Sequence, residues 1–264
     1  MIFFDSHCHF DFTVFDQDRE QIWHDCNASG IQQLIIPGVE PDQWKAAAAI
    51  AEQHKNIFIG VGVHPHWIKK NLIADDVGNY LSQLREQLQN NIQQQKCVSI
   101  GECGLDTFIE TPMDLQQQVL DVHLQLAQEI ASPLIIHCRK AHNELFALLK
   151  KYQLPAGGVI HAFSGSYELA ARYWAMGFRL GIGGTITYER AQKTRDAVKK
   201  LPLSAILLET DSPDMPLSGK QGERNSPINI IDVAQALADL RGETLTSIAE
   251  QTTRNAQTLF KIAP

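Results

Sequence analysis

The feature that most restricts the fold of this chain is a regular alternation of short apolar runs with longer stretches of helical periodicity. Between the runs, Leu81, Leu84 and Leu88 recur at offsets of three and four, as on one face of an amphipathic helix. No Pro-, Gly- or Ser-rich linker interrupts the series, so we expect residues 1–264 to form a single domain. The predicted strands are 2–4, 34–39, 57–63, 98–101, 134–137, 158–161, 178–181 and 205–208.

Local signals agree with the ends of several predicted helices. Gly30 is placed to end the first helix. Thr111 and Ser226 each precede a proline, which suits the first helical position, so we expect their hydroxyls to cap the following helices.

Eight strands that alternate with helices predict an α/β fold, either a closed (β/α)₈ TIM barrel or an open doubly wound sheet. An open sheet that binds a dinucleotide would favour G-x-G-x-x-G after its first strand. Here the first strand leads instead into residues 5–9, Asp-Ser-His-Cys-His, and the glycines at 60–62 and 181–184 match that motif only in part. We therefore predict the TIM barrel.

Composition excludes several classes of protein. The chain begins without a basic region and holds no apolar run near the roughly 20 residues of a membrane span, so we expect neither a secretory signal nor a membrane anchor. A formal charge of −7 and the absence of a dense Lys/Arg run disfavour a sequence-independent grip on long duplex DNA. The five cysteines are scattered and never spaced C-x-x-C, which favours a reducing cytoplasm over a disulfide framework. We expect a monomer.

Side chains that bind metals recur where the predicted strands end, and barrel enzymes carry their active sites at the carboxyl ends of the strands. Side chains two apart on extended backbone point the same way, so two histidines spaced H-x-H can bind one ion together. The neighbouring cysteines at 8, 103 and 138 should face the helices as small buried hydrophobes. The candidate ligands are His7, His9, Glu102, His137, His161 and Asp211.

Imidazole and carboxylate groups bind Zn, Mn, Fe or Ni, and with waters also Mg. We therefore predict a site for divalent cations and leave Zn, Mn and Mg open. Four other histidines fall inside predicted helices, where a packed or hydrogen-bonded role is the expectation; they are His24, His54, His123 and His142.

An ordered set of motifs resembles the TatD family of metal-dependent deoxyribonucleases, from the first strand to Arg224-Asn225. The resemblance implies a barrel of the amidohydrolase superfamily whose two divalent ions cleave phosphodiesters, in several members from the 3′ end of DNA. Thr107-Phe108 departs from the family pattern, since many members have aromatic residues in sequence there. The motifs are Asp-Ser-His-Cys-His at 5–9, Gly-Val-His-Pro-His at 62–66, Gly-Glu-Cys-Gly-Leu-Asp at 101–106, His-Cys-Arg at 137–139, His-Ala-Phe-Ser-Gly at 161–165 and Glu-Thr-Asp-Ser-Pro at 209–213.

The resemblance also assigns the ligands to two ions, with Glu102 as the bridge. One ion would take His7, His9, Glu102 and Asp211, and the other Glu102, His137 and His161. Two carboxylates then face two divalent ions, which leaves a locally positive pocket suited to an anionic phosphodiester. DNA ends or single-stranded DNA are the expected substrates.

Further residues receive roles in this hypothesis. Asp211 would also accept the proton of the attacking water, and His64 would position the phosphate. Arg139 and Arg224 are candidate phosphate clamps or, equally, surface salt-bridge partners. Glu209 and Asp106 are candidate substrate contacts or partners of the ligands.

Two other functions compete with this one. The same framework can activate water against a carboxyl ester or amide, including an aminoacyl-tRNA ester. Several superfamily members with that chemistry bridge their metals with a carboxylated lysine, so Glu102 favours the phosphodiesterase. A non-catalytic metal-binding barrel is disfavoured because no ligand is missing.

Overall fold

Eight parallel strands form one sheet in which the strand order follows the chain order. The structure, a computed structural model, describes residues 1–68 and 76–264. The sheet closes on itself because the Ser6 amide, just after β1, donates to the Leu208 carbonyl of β8 at 3.0 Å. The predicted (β/α)₈ TIM barrel is thereby confirmed. The strands are β1 (Phe3–Asp5), β2 (Ile31–Ile36), β3 (Ile57–Val61), β4 (Cys97–Asp106), β5 (Leu134–Arg139), β6 (Gly158–Ile160), β7 (Phe178–Ile182) and β8 (Ile206–Leu208).

Helices connect successive strands and surround the barrel, and two of them follow β8. Their apolar faces and the outer faces of the strands form one continuous core. Within the described ranges, no helix is both long enough and apolar enough to cross a membrane. The helices are α1 (Arg19–Ala28), α2 (Pro41–Gln53), α3 (Val77–Asn91), α4 (Met113–Ile130), α5 (His142–Leu149), α6 (Tyr167–Ala175), α7 (Gln192–Lys200), α8 (Ile230–Arg241) and α9 (Leu245–Phe260).

A second, smaller apolar cluster brings residues of several strands together with the end of α9. Phe4, Ile135 and Leu207 belong to this cluster, and Leu259 and Phe260 of α9 pack against them. Because the strand residues precede the carboxyl ends of their strands, the cluster lies beneath the polar residues that follow. It provides a rigid floor for them.

The strand that carries Glu102 is longer than expected. We expected β4 to end at Gly101, but it continues to Asp106, so Glu102 lies inside the strand rather than after it. Gly101 and Gly104 lie within this strand, where they allow the close approach of β5. A Cβ atom at Gly104 would lie 1.9 Å from the His137 carbonyl oxygen, and φ of +157° there also favours glycine.

The helix ends bear out one of three expectations. Gly30 follows α1 with φ of +94°, as predicted. The Thr111 hydroxyl instead donates to the Pro65 carbonyl, because Pro112 takes the position before the first residue of α4. Ser226 precedes a short 3₁₀ turn and caps it with no side-chain hydrogen bond, so α8 begins only at Ile230.

Candidate metal centre

Glu102 lies at the centre of the predicted ligands, with only 2% of its surface exposed. Its two carboxylate oxygens face different sets of nitrogen atoms. Oε2 lies 3.2 Å from Nε2 of His7 and 3.7 Å from Nε2 of His9. Oε1 lies 2.9 Å from Nε2 of His161 and 3.2 Å from Nδ1 of His137.

Asp211 joins the Oε2 side of Glu102. Its Oδ1 atom lies 3.4 Å from Nε2 of His7 and 3.5 Å from Nε2 of His9. The Asp211 amide donates to the His7 carbonyl at 2.9 Å, so the segments after β1 and β8 hold one another in place. We call His7, His9 and Asp211 the first half of the centre.

His64 joins the Oε1 side, where its Nε2 atom lies 3.4 Å from Oε1 of Glu102. Sequence reasoning gave His64 a phosphate contact only, whereas this position also puts it within reach of a cation. We call His64, His137 and His161 the second half. The halves adjoin, because the rings of His7 and His161 stack at 3.9 Å.

The donor atoms fit divalent cations in both halves. Ligand atoms each about 2.0–2.2 Å from one cation lie roughly 3–3.5 Å from each other, which matches the spacing in the first half and the 3.2 Å between His137 and His161 in the second. Three groups bring one such atom per residue within 4.8 Å of one another: His7 with His9 and Asp211, His7 with Glu102 and His161, and His64 with Glu102 and His137.

Asp5 links the segments that follow the first and last strands of the barrel, beside the first half of the centre. Its Oδ1 atom accepts hydrogen bonds from the backbone amides of His7 and Thr210, at 3.2 and 3.0 Å. Its Oδ2 atom accepts one from the Thr210 hydroxyl at 2.6 Å. Burial raises the pKa of Asp5 to about 8. Sequence reasoning missed this role, which depends on a partner 205 residues away.

Asp106 orients a ligand of the second half. Nε2 of His137 lies 3.1 Å from Oδ2 of Asp106, while Oδ1 accepts the amide of Phe108 at 2.8 Å. A proton on Nε2 leaves the Nδ1 lone pair of His137 directed at Oε1 of Glu102. Glu209 lies beside His161 at a longer distance, with Oε1 3.6 Å from Nδ1, beyond hydrogen-bond range. Glu209 is fully buried and also accepts the Ala162 amide.

The electrostatics of the centre keep Glu102 ionised and divide the imidazoles into two groups. Burial alone would raise the pKa of Glu102, but the histidines around it, His161 foremost, lower that pKa well below its usual range. Burial lowers the pKa of His64 to about 3 and also lowers the pKa of His7. Burial acts in the same direction on His9, His137 and His161, but the carboxylates beside them outweigh it and raise the pKa of each. Neutral imidazole is the form that binds metal ions.

The two predicted arginines lie in different surroundings. Arg139 is exposed at the end of β5, with its guanidinium 4.3 Å from the centre of the Phe108 ring. Arg224 forms a bidentate ion pair with Asp18, in which Nη1 of the arginine lies 3.0 Å from Oδ1 of the aspartate. Its geometry is that of the salt-bridge alternative.

The remaining predicted residues behave largely as packing groups. Cys8 and Cys103 are fully buried in the core, and Cys138 is partly buried. His123 is fully buried on α4, where Nε2 accepts the Val63 amide at 3.0 Å. Its Nδ1 donates to the Val119 carbonyl at 2.7 Å, and burial lowers its pKa to about 4.

Sequence reasoning also missed a group beside the first half. Asp11 is nine-tenths buried, and Phe12 stacks on His9 with ring centres 4.7 Å apart. Trp67 meets His64 edge-on at 5.3 Å. The backbone turns at residues 10–12, where the Phe12 amide donates to the His9 carbonyl, so the alternation of His7 and His9 does not extend to Asp11 and gave no signal for it.

The chain is similar to proteins of one family. A family model described as TatD related DNase matches residues 4–261. The uncharacterized metal-dependent hydrolase YjjV of Escherichia coli K12 is 41% identical over 261 residues, covering 98% of each chain. The 3′-5′ ssDNA/RNA exonuclease TatD of Pantoea sp. strain At-9b is 34% identical over 264 residues, covering 95% of this chain and 96% of its own. The crystal structure of Escherichia coli YjjV, a TatD homologue, superposes with a TM-score of 0.91 at 40% identity, covering 99% of this chain and 98% of that one.

Proposed function

The chain belongs to the TatD-related DNase family of metal-dependent hydrolases, and on that premise we propose that it uses two divalent metals to remove nucleotides from the 3′ end of single-stranded nucleic acid. The observation that carries this proposal is the division of Glu102 between two sets of donors. One oxygen faces His7 and His9, and the other faces His137 and His161. A carboxylate so placed suits a bridge between two cations.

Two divalent cations, when bound, supply a water of lowered pKa and positive charge that offsets the charge of the phosphate under attack. Zn, Mn and Mg all suit imidazole and carboxylate donors in this role. The carboxylates of Glu102 and Asp211 offset two of the four positive charges of such cations, and Asp106 beside His137 offsets a third, which leaves the centre positive on an otherwise acidic protein. That charge favours an anionic ester as substrate.

Asp211 accepts the proton of the attacking water in this proposal. Its side chain is 15% exposed, so water reaches it from the mouth of the barrel. Burial raises the pKa of Asp211, but the hydrogen bond with His9 and the nearby imidazoles lower it by more, which keeps the side chain a carboxylate. A carboxylate at that place can take up a proton.

In this proposal His64 contacts the phosphate under attack, and Arg139 binds a phosphate of the nucleic-acid strand. The neutral His64 ring, 12% exposed, accepts the His66 amide at Nδ1, so its Nε2 atom carries the proton and can donate a hydrogen bond. Arg139 presents its guanidinium to solvent at the same end of the barrel. Asp106 and Glu209 keep His137 and His161 turned toward Glu102.

A substrate panel tests the activity. Protein freed of metal with a chelator should be inactive, and Mn, Mg or Zn should restore release of nucleotides from single-stranded DNA and RNA labelled at the 5′ end. Products that shorten stepwise from the 3′ end are expected. Cleavage of carboxyl esters with intact phosphodiesters would contradict the proposal and support the alternative chemistry.

Asp211→Asn tests the proton acceptor. The change keeps the shape of the side chain but removes its charge, so the turnover number should fall roughly 10²- to 10⁴-fold. Thermal unfolding should change little, since the residue lies above the apolar floor. Full activity in this variant would remove Asp211 from the mechanism.

A further inference from the structure

A groove with a volume of 730 Å³ opens next to the first half of the metal centre. This volume lies within the range of roughly 300–1,000 Å³ typical of small-molecule sites. Asp11 and Gln43 line its polar side, and Phe12 and Trp67 contribute aromatic rings. We call it the Asp11 groove.

Asp11, which lines this groove, has one carboxylate oxygen without a hydrogen-bond partner in the described chain. The residue is 8% exposed, and its Oδ2 atom accepts a hydrogen bond from Nε2 of Gln43 at 2.7 Å. The other oxygen, Oδ1, is buried without a partner among residues 1–68 and 76–264. A buried carboxylate oxygen without a donor is costly, so a ligand that brings an N–H group would gain an uncommon advantage here.

Gln43 holds Asp11 in this orientation. Its Oε1 atom accepts the Val39 amide at 3.0 Å, and its Nε2 atom also donates to the Pro37 carbonyl at 3.2 Å. Three hydrogen bonds therefore fix the Gln43 amide, which in turn fixes one oxygen of Asp11. The carboxylate at the wall of the groove is therefore held in place before any ligand arrives.

The aromatic side chains connect the groove to both halves of the centre. Phe12 stacks on His9 of the first half, and Trp67 touches His64 of the second. The centres of the Phe12 and Trp67 rings are 6.4 Å apart. Aromatic faces stack on nucleobases of any sequence, typically for about 1–3 kcal/mol per base.

The charge of the groove limits what it can take. Glu40 and Asp214 line it together with Asp11, and its arginine, Arg224, is ion-paired with Asp18. A chain of phosphates would be repelled from such a surface. Arg139 and Lys140 lie exposed after β5, where phosphates would be attracted. A nucleic-acid strand can therefore end in the Asp11 groove but cannot continue through it.

We propose that the Asp11 groove binds the base of the 3′-terminal nucleoside, and that Asp11 accepts a hydrogen bond from an amino group of that base. This inference rests on the proposed nuclease activity and adds a base preference to it. Adenine, cytosine and guanine carry an exocyclic amino group at the edge of the ring, whereas the one donor of thymine, N3–H, lies between two carbonyl oxygens that a carboxylate repels. Ends in cytosine are thus cut faster than ends in thymine.

The test compares two single-stranded oligonucleotides that differ only in a 3′-terminal cytosine or thymine. Wild-type protein should favour cytosine about tenfold, mainly through KM, because the base contact is the same in the ground and transition states. In Asp11→Asn, the amide oxygen can still accept the Gln43 hydrogen bond while the amide nitrogen offers a donor to the groove. The preference should disappear or reverse.

The ratio of rates on the two ends is the readout, since it cancels any effect common to both substrates. Glu40→Gln is the matched control: it removes the same charge from the same groove but leaves Asp11 intact, so it should keep the wild-type ratio. An unchanged ratio in Asp11→Asn, with both proteins active on the base-free ester bis(4-nitrophenyl) phosphate, would overturn the groove assignment and leave the nuclease standing.

Calorimetry with free nucleosides separates the inference from catalysis. Wild-type protein should bind deoxycytidine more tightly than thymidine, and Asp11→Asn should lose that difference. If no phosphodiester is cleaved under any condition, the nuclease proposal fails, and this binding experiment still decides the groove. Equal binding of the two nucleosides to wild-type protein would refute it.

Discussion

The two halves of the metal centre differ in charge and in where their residues come from. The first half combines Asp211 with His7 and His9, which follow the first and the last strand of the barrel. The second half contains only imidazoles, from segments that follow β3 and β6 and from within β5. Glu102 is the carboxylate that both share.

This difference indicates that the two halves have different roles in the proposed reaction. The first half carries a carboxylate of its own, so it should bind a cation more strongly and also hold the proton acceptor. The second half has less negative charge, so a cation there would remain more attractive to a phosphate oxygen. Substitutions that act on one half, on both or on neither can test this comparison.

Replacing the shared residue should have the largest effect. Glu102→Gln removes the charge that both halves use, and the variant should lose metal from both. Activity should fall by more than roughly a hundredfold, because even partners of metal ligands contribute ten- to hundredfold. Metal analysis by mass spectrometry, together with DNA hydrolysis, measures this. Two ions retained per chain would contradict the bridging role.

Asp106→Asn should weaken only the second half. Without the carboxylate beside Nε2, His137 loses the partner that directs Nδ1 toward Glu102. Affinity for the weaker-bound cation should fall roughly ten- to hundredfold, while the stronger site keeps its affinity. Competitive titration with a metal indicator resolves the affinities of the two cation sites. Asp114→Asn, an exposed carboxylate in the first turn of α4, serves as control, and equal losses at both sites would break the comparison.

A buried histidine outside both halves should give the smallest effect, on stability rather than on metal. The pKa of His123 is about 4 in the folded chain and 6.5 in the unfolded one, so only the unfolded chain takes up the proton between these values. The contribution of the neutral His123 ring to the free energy of unfolding is complete above pH 6.5 and is lost as the pH falls toward 4.

Urea unfolding of wild-type protein and His123→Gln at pH 7 and pH 5 measures this contribution. The wild type should lose about 2 kcal/mol more stability on acidification than the variant. The other histidines titrate in both proteins and cancel in the difference. Equal losses would show that His123 does not resist protonation.

The number and order of the strands were predictable because buried parallel strands are nearly continuous apolar runs. The end of β4 was not, because glycine inside a strand is normally unfavourable, whereas Gly104 here accommodates the neighbouring backbone of β5. Strand-end positions were enough to suggest that His7 and His9 act together. The roles of Asp5 and Asp11 depend on partners such as Thr210 and Gln43, whose proximity only the closed barrel creates.

The hydrogen bonds of Asp5 to His7 and Thr210 have a consequence for the newly made protein. The first half of the centre needs residues from both ends of the chain, and the same carboxyl that closes the barrel positions them. Residues up to and beyond Asp211 must therefore leave the ribosome before this half can form. No shorter nascent fragment carries the complete centre, so the proposed nuclease activity cannot begin before the last strand of the barrel has been made.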